Sequence, residues 1–394
     1  MSSGVRPGVA DIVRRFGPDY IARYGAKLLP SHRRALSDIV RCRTKAMGGH
    51  VYRCRDCGEN VFVLHGCKNR ACPSCHAGET AAWLEKRRAE MLPCRHFHVT
   101  VTVPSELREA IRSDQKKLYG LLMKTAAEAV LTLCRDPKHL GATPGILSVL
   151  HTWTGQLTYH PHVHMLVTAG GVSPGGKYWV ASNPRFLIPV KALSRRVRNR
   201  FAEAVKAWRP DWLAKTPSTV WTREWVANIQ AWDGDAEGVL RYLARYVKRI
   251  AVTDTRILAM DDSHVTFRYK DNKADGKPVW RTTRMTGEEF LRRFLQHVLP
   301  GGFHKTRYSG LWHSRNRAVA SRVRLMMAMK STPRTIAPAA TGMKTTDAWM
   351  EPPAGFTHCP HCGGTQLEYV GELKREGGAP FFRRPKERPR NRSP

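Results

Sequence analysis

The chain has 394 residues, 42% hydrophobic and 25% charged, enough for a sizeable core and for two or three domains. Its 66 lysines and arginines stand against 32 acidic residues, a formal charge of +34, so the expected partner is a polyanion, DNA or RNA, whose phosphates release counterions on binding. No stretch approaches the roughly 18 apolar residues of a membrane span, and "MSSGVRPGVADIVRRFG" has no apolar signal core. These features argue against a spanning helix, leave an anionic membrane surface as the weaker alternative partner, and set the expectation of a cytoplasmic, reduced protein. Its ten cysteines then point to metal binding rather than disulfides.

In chain order, "VADIVRRF" and "SHRRALSDIVR" space their apolar residues as short helices within residues 1–41. Residues 42–94 begin with a Cys/Gly/His-rich stretch and continue into "ETAAWLEKRRAEML", a basic helix closed by Pro93. "HFHVTVTVP" alternates strictly. Phe97, Val99, Val101 and Val103 face one way, and His96, His98, Thr100 and Thr102 the other. Residues 105–135 read as helix, and "GILSVLHTWTGQLTYHPHVHMLVTAGG" as two strands. "VKALSRRVRNRFAEAVKAW" and "AEGVLRYLARYVKRI" are basic amphipathic helices. "RILAMDDSHVTFRYKD" is a hairpin turning at "DDS", and "GEEFLRRFLQHVL" is a helix. Residues 95–330 thus form the main domain. Residues 331–394 form a Pro/Thr/Ala-rich linker, a "CPHCGG" knuckle and a basic tail too polar to fold.

Cys54-x2-Cys57 and Cys72-x2-Cys75 bracket a short hairpin, the pattern of a structural four-thiolate zinc ribbon. Cys42, His50 and Cys67 are candidates for a second zinc site or for exchange with the first. "CPHC" at Cys359 and Cys362 is half a site.

His162 and His164 share one face of a strand, with Val163 and Met165 pointing into the core behind them. Two adjacent imidazoles suit a divalent ion with open positions for a phosphate, Mn²⁺ more readily than Mg²⁺. On these residues alone a polar strand face is the better explanation, since a chain with 17 histidines repeats such spacing by chance, as at His96 and His98. Tyr242 and Tyr246, at i and i+4 with Lys248 and Arg249 beside them, suit phosphotyrosine chemistry; amphipathic packing is the competing explanation.

In this order, "HTWTGQLTYHPHVHMLVTAGG", "RYLARYVKRIAVTDTRIL", "DDSHVTFRYKD" and "GFHKTRYSGLW", after a zinc-binding region, resemble the rolling-circle transposases of the insertion-sequence 91 family. These are two-tyrosine members of the HUH nucleases. The resemblance runs from about Val9 to Val323 and takes in "CPHCGG" near the end. It implies an α+β fold: an antiparallel HUH-type sheet flanked by helices, behind a small zinc-ribbon-like domain. It also implies metal-dependent nicking of single-stranded or hairpin DNA through 5′-phosphotyrosine links. His162 and His164 would hold Mg²⁺ or Mn²⁺, and Tyr242 and Tyr246 would attack, with Lys248 neutralising charge. The third metal ligand stays open among His160, Gln156 and His98. Rolling-circle replication initiators and relaxases share this chemistry, and a non-catalytic zinc-containing DNA-binding protein is the alternative of another class. DNA contacts are expected from Arg87, Arg88, Arg195, Arg196, Arg249, Arg268, Lys270, Lys305 and Arg307, where cations interleave with aromatics.

Overall fold

The computed structural model describes residues 6–75, 90–232, 250–271, 279–330 and 357–375, with Gly238 and Val247. The principal elements follow in chain order. The N-terminal part holds α1 (Val9–Tyr24), α2 (Pro30–Arg41), β1 (Gly49–Cys54) and β2 (Asn60–Leu64). Next come β3 (His96–Thr102), α3 (Gln115–Arg135), β4 (Gly145–Trp153), β5 (Tyr159–Thr168), β6 (Gly170–Val172), β7 (Trp179–Ala181), α4 (Val190–Trp208) and β8 (Val226–Trp232). Then follow β9 (Ile257–Met260), β10 (His264–Asp271), β11 (Val279–Thr286), α5 (Gly287–Leu295), β12 (Thr306–Gly310), α6 (Arg317–Lys330) and β13 (Leu367–Leu373).

The chain divides into two compact units, each discontinuous in sequence. This differs from the consecutive segments 1–41, 42–94, 95–330 and 331–394 expected above. One unit joins residues 6–75 to β9–α5 and to residues 357–375. Two interactions explain the joining. Asp254 accepts a hydrogen bond from the backbone N–H of Val9 (2.8 Å) and so caps α1, where the helix dipole favours an anion. β13 pairs antiparallel with β1, from Cys54 opposite Leu367 to Gly49 opposite Leu373. The "DDS" turn forms as expected, with the Asp261 carboxylate accepting from Ser263 and His264 N–H (2.9 and 2.8 Å).

The second unit is built on an antiparallel sheet of order β12-β4-β5-β3-β8. The alternation read in β3 holds. Phe97, Val99 and Val101 lie in the main core with Val163, Met165 and Val167 of β5. α3 and α4 cover that face through Leu118, Leu122 and Val130, and through Leu193, Val197 and Phe201. The opposite face carries His96, His98, Thr100 and Thr102, in register with Thr168, Leu166, His164 and His162 of β5.

Candidate active site and metal centres

His162 and His164 sit side by side on β5, as their spacing requires, with ring centroids 4.7 Å apart. The third imidazole beside them is His151 of β4, which lies opposite His162 across the ladder. Ligand nitrogens of the three all fall within 4.8 Å of one another. His151 and His164 are buried. The hydrogen bonds fix which nitrogen faces the cluster. His162 Nδ1 lies 2.6 Å from the His160 carbonyl, which only accepts, so Nδ1 carries the proton and Nε2 keeps its lone pair. Burial holds His162 down to about 4, so the ring is neutral, as ligation requires, at physiological pH.

None of the three third-ligand candidates from the sequence joins the cluster. His160 Nδ1 lies 2.7 Å from the Arg108 guanidinium. A guanidinium only donates, so Nδ1 accepts and a neutral His160 carries its proton on Nε2, leaving no lone pair for a metal. Gln156 is exposed in the β4–β5 turn, because β5 begins only at Tyr159. His98 Nε2 is 2.9 Å from His164 Nδ1, with Thr100 Oγ1 3.3 Å from the same nitrogen. This is how a supporting group orients a ligand. Tyr242, Tyr246, Lys248 and Arg249 lie outside the described residues, as do Arg87 and Arg88. Val247, described between them, is helical and buried.

The cysteines form two tetrads instead of one ribbon. Cys42, Cys67, Cys72 and Cys75 make one, and Cys54, Cys57, Cys359 and Cys362 the other. The expected grouping of Cys54 and Cys57 with Cys72 and Cys75 fails for a geometric reason. Cys54 ends β1, whereas Cys72 and Cys75 group with Cys42 and Cys67, which flank the hairpin's other end. The six residues of β1 set those ends roughly 17 Å apart at strand rise. Sulfur separations of 3.4 and 3.7 Å in the first tetrad, and 3.7 and 3.8 Å in the second, approach the ~3.8 Å edge of a tetrahedron with Zn–S near 2.3 Å. In each tetrad a backbone N–H two residues on donates to a sulfur: Asn69 to Cys67 (3.5 Å) and Gly364 to Cys362 (3.4 Å). The donor sets therefore fit zinc. His50 belongs to neither and packs edge-on against His65, 4.7 Å away.

Of the described basic candidates, Arg268 and Lys270 lie over the exposed ring of Trp280 on β11, 5.0 and 5.9 Å from its centroid. That aromatic was not anticipated. Arg195 and Arg196 ride on α4, which covers the sheet face away from the histidines. Arg307 donates to the Gly120 carbonyl of α3 (3.1 Å), and the Lys305 carbonyl accepts from Leu150 N–H (2.9 Å).

His96 is 1% exposed, stacks on Trp312, and is held down to about 4 by burial against its ordinary 6.5. The sign follows from that direction. Between these values the unfolded chain binds a proton that the folded one refuses. The stability is therefore fully present above about pH 6.5 and is lost as pH falls toward 4, by up to about 3 kcal/mol. Thermal melting at pH 7.5 and 5 is expected to show the drop, with a shallower one in His96→Leu; equal slopes would remove this cause.

Residues 145–319 match the family described as "Putative transposase", and residues 12–103 the "Transposase zinc-binding domain". The first span contains all three clustered histidines. The second contains one whole cysteine tetrad and only half of the other. The chain is 38% identical over 327 residues to "Putative transposase y4qJ" of Sinorhizobium fredii (strain NBRC 101917 / NGR234), covering 79% of this chain and 81% of that protein. It is 24% identical over 298 residues to "Transposase for insertion sequence element IS801" of Pseudomonas savastanoi pv. phaseolicola, covering 71% and 70%. No solved structure matches. The chain belongs to the insertion-sequence 91 family of transposases and carries that family's zinc-binding domain.

Proposed function

We propose that this transposase cuts and rejoins single DNA strands at a divalent metal held by His151, His162 and His164. The observation that carries the reading is the convergence of these imidazoles on one sheet face, with His162 Nε2 stripped of its proton by the His160 carbonyl bond. A pure DNA-binding protein has no use for such a cluster. A metal bound there would polarise the scissile phosphate. Three imidazoles without a carboxylate favour Mn²⁺ over Mg²⁺. Tyr242 or Tyr246 supplies the nucleophile: its oxygen bonds to phosphorus, the P–O3′ bond breaks, and the 3′-oxygen leaves and takes up a proton. A 5′-phosphotyrosine link remains. Attack of a 3′-OH on that link restores a phosphodiester and frees the tyrosine, so no ATP is consumed. The second tyrosine serves the other end or the target. Lys248 and Arg249 neutralise developing charge. The two cysteine tetrads each hold a structural Zn²⁺, and Trp280 with Arg268 and Lys270 offers a stacking platform for DNA. The reading places the protein in the bacterial cytoplasm, at the nucleoid.

The test is covalent capture of labelled single-stranded DNA bearing the element's end, with Mn²⁺ or Mg²⁺. Wild type forms an adduct; Tyr242→Phe/Tyr246→Phe and His162→Ala/His164→Ala form none. An adduct that survives the double tyrosine change overturns the nucleophile. Failure of wild type on its own terminal sequence favours the non-catalytic alternative.

A further inference from the structure

The histidine-bearing face of the sheet continues into a groove that the strand-cutting chemistry leaves unused. Its volume is about 650 Å³, within the range of small-ligand sites. Leu147 of β4 and Thr306 and Tyr308 of β12 line its floor, Trp312 one side, and Arg317 and Arg324 of α6 another. Glu90 is the one carboxylate among the lining residues. Leu147 and His151 have the same parity on β4, four residues apart, or about 13 Å at strand rise.

The aromatic wall is set in place. Trp312 stacks on buried His96, with centroids 6.0 Å apart and planes 23° off parallel. A Cβ at Gly145 would stand 2.8 Å from the indole, so only glycine lets the ring lie against the strand. Gly310, at φ 62, turns the chain from β12 toward Trp312 in a conformation that side chains disfavour. The Trp312 Nε1 donor and both His96 nitrogens are buried with no hydrogen-bond partner among the described residues.

We infer that this groove takes unpaired bases of the strand whose phosphate sits at the histidines; this rests on the strand-cutting reading for its substrate. The flat faces of Tyr308 and Trp312 stack on bases, and Arg317 and Arg324 meet phosphates. A duplex keeps its base faces stacked on one another and does not fit.

The test measures binding of the full chain to fluorescein-labelled oligodeoxythymidylate by anisotropy, without divalent metal. Tyr308→Leu removes a stacking face, and Ser321→Trp fills the groove from α6 without removing a contact to the floor. Each is expected to weaken single-strand binding about tenfold while duplex binding of equal length stays unchanged. If both bind the oligonucleotide within about twofold of wild type, the groove is not the site. Covalent capture separates the two readings. Loss of oligonucleotide binding with no adduct from wild type leaves the groove standing and sinks strand cutting. A normal adduct from Ser321→Trp sinks the groove alone.

Discussion

His151→Ala is expected to abolish divalent-metal binding on the five-stranded sheet and to lower covalent DNA capture by more than about 100-fold. Losing a group that merely supports a ligand costs roughly 10- to 100-fold, and the proposal makes His151, one of the three clustered imidazoles, a ligand itself. The comparison set makes the result informative. His160→Ala should retain metal binding, because Arg108 holds its Nδ1 and its remaining nitrogen carries the proton. Gln156→Ala should match wild type, since its side chain is exposed in the turn. His98→Ala should fall between, because His98 orients His164 without joining the cluster. Calorimetric titration with Mn²⁺ reads the site independently of cleavage, and a melting curve for each variant separates lost metal from lost fold. Wild-type Mn²⁺ affinity in His151→Ala, with loss in Gln156→Ala or His160→Ala, would return the third ligand to Gln156 in the turn or to His160 on β5.

Sequence reasoning failed at His151 for a definite reason. The alternation in "HFHVTVTVP" and the pair His162/His164 were legible because a strand repeats every two residues, and both fall on the faces expected. Matching β4 to β5 needs the register as well. Trp153 lies opposite Tyr159, so an unbroken ladder would set His151 opposite Pro161 and Leu150 opposite His162. A one-residue shift between His151 and Trp153 sets His151 opposite His162 instead and turns its ring to the histidine face. Pro161 sits at this shift, where a strand tolerates proline. Such a bulge leaves no periodic trace in either strand. The groove was hidden for a similar reason. Tyr308 and Trp312 read locally as aromatics interleaved with cations in a basic stretch, and only the pairing of β12 with β4 sets Tyr308 beside Leu147. Helices α1, α2 and α5 were readable from apolar spacing alone, yet the hydrogen bond that Asp254 accepts at the start of α1 joins residues 245 positions apart.

The same long-range closure governs the second cysteine tetrad, and its loss should have the largest effect on stability. Cys359→Ser/Cys362→Ser is expected to lower bound zinc from two ions per chain to one, read by native mass spectrometry. Ending the chain after Lys330 should do the same. Structural zinc contributes on the order of 10 kcal/mol to small metallo-domains, more than most domains hold in reserve. The β1–β2 hairpin should then lose protection in hydrogen exchange, because β13 and the metal go together: β13 hydrogen-bonds along the whole of β1, and its knuckle supplies two of the four thiols. Cys57 and Cys359 stand 302 residues apart in sequence, so one ion closes a loop that contains most of the chain. Cys42→Ser should release the other zinc and leave the β13 pairing intact. A single ribbon of Cys54, Cys57, Cys72 and Cys75 predicts the opposite pattern. In that arrangement truncation after Lys330 costs no zinc, and Cys72→Ser releases the same ion as Cys54→Ser. Retention of full zinc by the truncated chain would therefore restore the ribbon and dissolve the second tetrad.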